Sequence, residues 1–437
     1  MQTRKGPNNK PLNSEMPPPC GGGVSLVHGN VLMNENFLIW FIIAIVLMVA
    51  IQQQGGHSSP PLSVKALTDY YRRALRLLLE HRWLAIFPFS LYALEFLLGL
   101  PQEFMYRNRM ENMSGFQPQL LAWPDSAMIQ KAVQLSWHHA LVQDSIYKMD
   151  RAWYGALSGK NVNIALFLVS FLLVAMPKLR SEIETQLDES ARHARQFLIS
   201  SWITGLVILV INFVIFLVLR QNSTILPKTL LPLVVFDSIR SIASIVALGT
   251  IVSLLEAFYI TTAFAILRRE TLDLRRLVNP SIKAYPGLYW FNVFLGSFFL
   301  VLNSPKYFVG RYHQQPPGLL WLLTYEFFQP FIAVALITVP FFMVVGKGAG
   351  LFDALLSQGR LLRSHLSQYA QIVFGGIALL FIPSFLRNFS EAIIPPHTFV
   401  WLDVHLVFNA MHITLASWFF VAILAWFIDV VRTPSID

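Results

Sequence analysis

The sequence predicts an all-α fold, a polytopic bundle of transmembrane helices with about nine spans of the ~20-residue kind a bilayer requires. Three observations predict it. Hydrophobic residues make up 55% and charged residues 13% of the 437 positions, where a soluble domain carries about 25% charged. Mean hydropathy is +0.53, and 35 Phe and 11 Trp add to the apolar load. That load falls in long runs separated by basic connections. Only lipid absorbs so much apolar surface without aggregation. An ordinary soluble enzyme, a disordered chain and a disulfide scaffold are excluded.

Residues 1–36 are polar, rich in Gly, Pro and Asn, and read as an N-terminal tail. The tail holds Cys20, the only cysteine, so no internal disulfide or CxxC metal site is expected. Residues 10–19 are polar and Pro-rich, which argues against a lipoprotein cysteine. The first apolar run lies behind the whole tail and lacks a small-residue cleavage site, so no cleavable signal peptide is expected. That run, 37–51, is the leading transmembrane helix. A bundle over 63–431 supplies the remaining segments, at 83–100, 162–177, 197–219, 241–267, 287–303, 319–345, 369–386 and 408–431. The segments 37–51, 162–177 and 287–303 are near the lower length limit for crossing about 30 Å of hydrocarbon and borrow flanking residues at the interfaces.

Charge sets the orientation. The formal net charge is +9, but most Lys and Arg flank apolar segments, which is a topology signal and not a nucleic-acid footprint. Connections 52–82, 178–196, 268–286 and 346–368 and the end 432–437 hold 18 Lys and Arg, against 6 in 220–240, 304–318 and 387–407. The first set is therefore expected in the cytoplasm, with the C-terminus, and the tail outside. Translocating Arg4, Lys5 and Lys10 with the tail runs against this rule.

The basic connections repeat one design. In ALTDYYRRALRLLLEHR (66–82), Leu67, Tyr70, Tyr71, Ala74 and Leu78 share one helical face. Asp69, Arg72, Arg73, Arg76 and Glu80 take the other, as in an amphipathic helix on a membrane surface. DALLSQGRLLRSHLSQ (353–368) repeats it with Arg360 and Arg363, and TQLDESARHARQ (185–196) with Arg192 and Arg195. Residues 271–285 are expected to be a broken version, stopped by Pro280. The chain thus reads as one leading helix plus four hairpins, each preceded by a basic cytoplasmic amphipathic helix. On ALTDYYRRALRLLLEHRWLAIFPF and DALLSQGRLLRSHLSQYAQIVFGG, this organisation resembles the YciC-type inner-membrane proteins. It also resembles the membrane domain attached to some glycerophosphodiester phosphodiesterases. The resemblance implies a fold style, a bacterial inner-membrane location and no particular activity. The polar tail, the first helix and the loop 101–161 depart from that pattern.

The outer loop 101–161, inserted in the bundle, is the one sizeable extramembrane piece. Residues 126–157 read as a helix anchored by Met128, Ala132, Leu135, Trp137, Leu141, Ile146, Trp153 and Leu157. Trp137, Tyr147, Trp153 and Tyr154 suit the headgroup level. His138 and His139 read as surface residues. The loop is expected to lie on the outer surface, or to serve as a docking platform. Asn112, Asn222 and Asn388 open N-x-S/T sequons in outer connections, which matter only in a glycosylating secretory route.

No GxxxxGK[ST], HExxH, GxSxG or GxGxxG occurs. Their absence removes most ATP-driven pumps, zincins and hydrolases. Buried polar residues are the remaining candidates. Glu95, Glu256 and Glu326 fall within apolar segments, where a charge costs about 2.5–3.5 kcal/mol and usually faces the bundle interior. Gln329 lies one turn from Glu326, just before Pro330, which frees a backbone carbonyl. Ser244, Thr250, Ser253 and Thr261 are small polar residues suited to close helix contact in the fifth span. In the last segment His405, Asn409 and His412 form one stripe, with Asp403 and His397 nearby. His405 and His412 stand about 10.5 Å apart along the axis at 1.5 Å per residue, too far to share a metal. They are candidates only for separate haem or pigment ligands, or for a polar helix interface.

The leading expectation is a non-catalytic integral membrane subunit, scaffold or assembly factor with no cofactor. Its partners would be membrane lipids and other membrane subunits, met through 1–36 and 101–161. The alternative is a secondary transporter or lipid-handling permease using the buried acids. A pigment- or haem-associated subunit and a membrane-embedded enzyme come after.

Overall fold

The computed structural model describes residues 59–85, 181, 187–221, 230–270, 272–312, 332, 334–345, 350–393 and 399–431. Every regular element among the described residues is helical. The tail 1–36, the segments 37–51 and 162–177, the loop 101–161 and most of 83–100 lie outside the described residues.

Seven α-helices follow in chain order: α1 (Val64–Glu80), α2 (Glu189–Gln221), α3 (Leu230–Leu267), α4 (Leu274–Tyr312), α5 (Val339–Val345), α6 (Leu351–Ile393) and α7 (Phe399–Val431). Three stretches among them are long and apolar enough to cross a membrane. They are Ile245–Leu267 in α3, Leu351–Arg387 in α6 and Ala410–Val431 in α7, of 23, 37 and 22 residues. On α2, Ile203, Val207, Ile211 and Val214 stand exposed at helical spacing. A protein bathed in water does not leave such a stripe uncovered, whereas lipid solvates it. The chain is an integral membrane protein of multi-pass type.

Local chemistry fixes the helix ends. Ser63 caps α1, its hydroxyl accepting the Ala66 N–H at 3.2 Å. This satisfies one of the donors that every helix start leaves open. Asp188 caps α2 through the Ala191 N–H at 2.9 Å. α3 closes with Arg269 in the left-handed region at φ 58°. The Glu270 N–H reaches the Ala265 carbonyl and the Arg269 N–H the Ile266 carbonyl, both at 2.9 Å. This pair of bonds is a Schellman stop, usually built on glycine.

Burial on α1 follows the division read from its sequence. Ala74 is buried and Leu67, Tyr70, Tyr71 and Leu78 pack against the core, while Asp69, Arg72, Arg73, Arg76 and Glu80 are exposed. Leu77 joins the buried face.

One expectation needs correction. Pro280 does not stop a helix: α4 runs unbroken from Leu274 to Tyr312. Its first turns are held from outside, because the Asn279 side chain accepts the Asp188 N–H at 3.1 Å and Lys283 pairs with the Asp188 carboxylate at 2.7 Å. These contacts offset the one backbone bond a proline removes. Within the segment 319–345 the backbone turns at 336–338 before α5 begins. The turn releases carbonyls that a neighbouring helix must receive. Gln358 of α6 donates to the Ala335 carbonyl at 2.6 Å and accepts from Thr338, and Tyr369 donates to the Val334 carbonyl.

α6 is one helix of 43 residues with a kink at His365. The kink falls where the amphipathic stretch 353–368 is expected to give way to a span. There the extended residues 59–62 strap α1 to α6. The Ser59 N–H donates to the Ser364 carbonyl at 3.0 Å, and its hydroxyl meets His365 Nδ1 at 2.8 Å. The Leu62 N–H donates to Gln371 at 2.7 Å, and Gln368 donates to the Pro60 carbonyl at 2.9 Å. Insertion of outside groups into a helical ladder is a recognised cause of kinking.

Candidate functional site

Five buried polar residues, Ser253, Glu256, Thr261, Ser281 and Asn292, form a seam between α3 and α4. These helices run antiparallel, since Ser253 meets Asn292 while Thr261 meets Ser281. At the centre Glu256 is 3% exposed, and Ser253 and Asn292 are fully buried. The Asn292 amide donates to Ser253 Oγ at 2.8 Å and to Glu256 Oε2 at 3.0 Å. Its Oδ1 is buried with no hydrogen-bond partner among the described residues. No ion pair reaches Glu256 among the described residues.

The seam extends toward the α3–α4 turn, where the Ser281 hydroxyl lies 3.0 Å from that of Thr261 and 2.7 Å from the Leu277 carbonyl. It extends toward α2 through Ser201 and Tyr285, whose hydroxyls are 2.7 Å apart. Tyr259, fully buried, interacts through its hydroxyl with Ser417 of α7, and its ring packs on Phe420.

This arrangement has one clear chemical capacity. Glu256 and Asn292 suit two proton states with the heavy atoms in place. A carboxylate accepts from Nδ2, and a carboxylic acid donates to Oδ1 once the amide has turned over. Among the described residues the seam offers hydrogen bonding and proton holding, with the Ser253 hydroxyl bonded to the same amide. Among the described residues no group of three His, Cys, Asp or Glu side chains converges.

Of the residues singled out by sequence, Glu256 is at the seam. Ser253 and Thr261 make the interhelical contacts expected of them, while Thr250 bonds within its own helix to the Ala247 carbonyl at 2.6 Å. Glu95, Glu326 and Gln329 lie outside the described residues. His405 and Asn409 are in α7, with side chains outside the described set. His412 is buried, with Nδ1 3.4 Å from Ser384 of α6, so it belongs to a polar contact between two helices. Asn292 and Ser281 escaped the sequence reading. The signal that could have found Asn292 is a lone amide in the apolar run WFNVF, of the same kind as the acids.

A second polar locus joins α1 to α7. Arg73 of α1 pairs with Asp429 of α7 at 2.7 Å, with the side chains 46% and 36% exposed. Such a pair contributes little by itself, about 0–1 kcal/mol. Burial, and then the Asp429 charge, raise the neighbouring Tyr70 hydroxyl above its usual range. Firmer contacts accompany them: Trp418 donates to the Tyr71 carbonyl and the Tyr71 hydroxyl to the Ile372 carbonyl, each at 2.7 Å.

Fold and seam together define a multi-pass helical membrane protein whose interior polar groups pair across helices. No protein-family model, curated protein or solved structure matches the chain.

Proposed function

We propose that the protein is a non-catalytic integral membrane subunit, scaffold or assembly factor of a membrane protein complex. The observation that carries this reading is how the buried polar residues are used. Thr261 with Ser281, Ser253 with Asn292, and Ser384 with His412 each join two helices. Interhelical hydrogen bonds of this kind hold bundles together where lipid removes the hydrophobic drive. Within this reading the chain crosses the bacterial inner membrane about nine times, as one leading helix and four hairpins. Its basic connections and C-terminus are cytoplasmic. The tail 1–36 and the outer loop 101–161 meet the partner subunits.

Gentle native purification tests it. A complex of fixed stoichiometry is expected, weakened by deleting residues 1–30 while the bundle still folds. A chain that always travels alone contradicts it. Sidedness is checked with a Ser357→Cys label in a Cys20→Ser background, which is expected to react from the cytoplasmic side only.

A secondary transporter is the competing reading, and one observation favours it: Glu256 is a buried acid without an ion-pair partner among the described residues. Intramembrane acids of that kind line proton and cation paths.

A further inference from the structure

The inner face of α1 is fully used, and that fixes what its outer face presents. Ala74 and Leu77 are buried, the strap 59–62 holds the start of the helix, and Trp418 and Ile372 hold Tyr71. The helix therefore cannot roll. Outward it shows a divided surface. Val64, Leu75, Leu79 and, just beyond the helix end, Trp83 are exposed, with Leu79 at 58%. Beside them along the axis stand exposed Lys65, Arg72 and Arg76. Asp69 and Glu80 occupy the far edge, at i+4 from Lys65 and Arg76, the spacing at which helix ion pairs form. No such pair forms within 4.0 Å, so all three cations are free of carboxylates among the described residues.

The first turns of α6 repeat the pattern. Phe352 and Leu356 are 79% and 62% exposed, and Arg360 and Arg363 follow exposed on the same stripe. Apolar residues beside free cations on a helix surface match the boundary between acyl chains and phosphate groups.

We propose that the outer face of α1 is a binding surface for anionic phospholipid. Lys65, Arg72 and Arg76 take the headgroup phosphates, and Leu75, Leu79 and Trp83 rest on the acyl chains. An acidic protein would satisfy the cations but would leave the apolar flank facing lipid or water.

The test uses the full chain in nanodiscs of phosphatidylcholine with a minor share of phosphatidylglycerol, and reads by native mass spectrometry which lipids stay bound. Each Lys or Arg near an anionic surface contributes roughly fivefold in partitioning. The wild type is therefore expected to enrich phosphatidylglycerol by about tenfold or more, and high salt to reduce the enrichment. Lys65→Gln/Arg72→Gln/Arg76→Gln is expected to lose most of it while melting as wild type in pure phosphatidylcholine, because all three side chains point away from the core. Arg73→Gln, whose native partner is Asp429, is expected to keep it. A wild type with no preference for phosphatidylglycerol, or a triple variant that keeps one, overturns the proposal. So does an acidic protein that binds through these three residues in place of lipid.

Discussion

Between α3 and α4 the contact is made by Ser253, Glu256, Thr261, Ser281 and Asn292, whose side chains bond to one another across the interface. Between α6 and its neighbours α1 and α7, hydrogen bonds such as Ser384–His412 and Tyr71–Ile372 are joined by glycine packed against aromatic rings. A Cβ at Gly376 would stand 2.0 Å from Phe419, and one at Gly375 would stand 2.9 Å from the Tyr71 hydroxyl. The α6 contacts add the close approach of glycine to hydrogen bonding. In lipid, apolar surface gives helices no reason to associate, so contact needs either close approach or hydrogen bonds. Close approach tolerates no added volume, whereas a hydrogen-bonded seam tolerates a change of shape better than the loss of a partner.

The largest expected effect tests the glycine side. Gly376→Ala drives a methyl group into the fully packed Phe419 ring and is expected to cost about 3 kcal/mol. Gly375→Ala, facing the end of the Tyr71 side chain, is expected to cost about 1 kcal/mol. At Gly359 an added methyl group would meet nothing within 4 Å, so Gly359→Ala is expected to gain about 0.5–1 kcal/mol from helix propensity. Melting curves of the three variants check this order, and equal melting of Gly376→Ala and wild type removes the close-approach argument.

On the polar side, Asn292→Leu strands both the Ser253 hydroxyl and the Glu256 carboxyl. It is expected to cost about 2 kcal/mol, read in the same melts. At the turn that sets α3 against α4, Arg269→Gly relieves a left-handed residue and is expected to stabilise by about 1 kcal/mol. Asp429→Asn breaks the exposed pair with Arg73 and is expected to cost about 0.5 kcal/mol or less. That loss should shrink as salt is added.

The comparison also separates what was legible in the sequence from what was not. The face of α1 was legible because an amphipathic helix at an interface states its period in its own residues. Glu256 was legible because a carboxylate in an apolar run is rare. Asn292 was not singled out, since one amide among Phe, Trp and Val disturbs hydropathy little, yet it holds the seam together. The turn at 336–338 was hidden because the groups that compensate it, Gln358 and Tyr369, lie on another helix. Pro280 misled for the same reason: Asp188, some ninety positions away, supports the turn the proline weakens. Tertiary partners override local signals in each case.

The central claim is that the seam joins helices and does not carry protons. Replacing Glu256 tests it most directly, with thermal stability and proton-dependent flux measured together in proteoliposomes. Glu256→Gln keeps a polar group of the same shape and is expected to melt as wild type with no change in flux. Glu256→Leu removes one of the two acceptors of the Asn292 amide and is expected to cost about 1–2 kcal/mol. A Gln variant that folds and melts normally but abolishes a proton-driven flux shown by the wild type contradicts the claim and makes the protein a transporter.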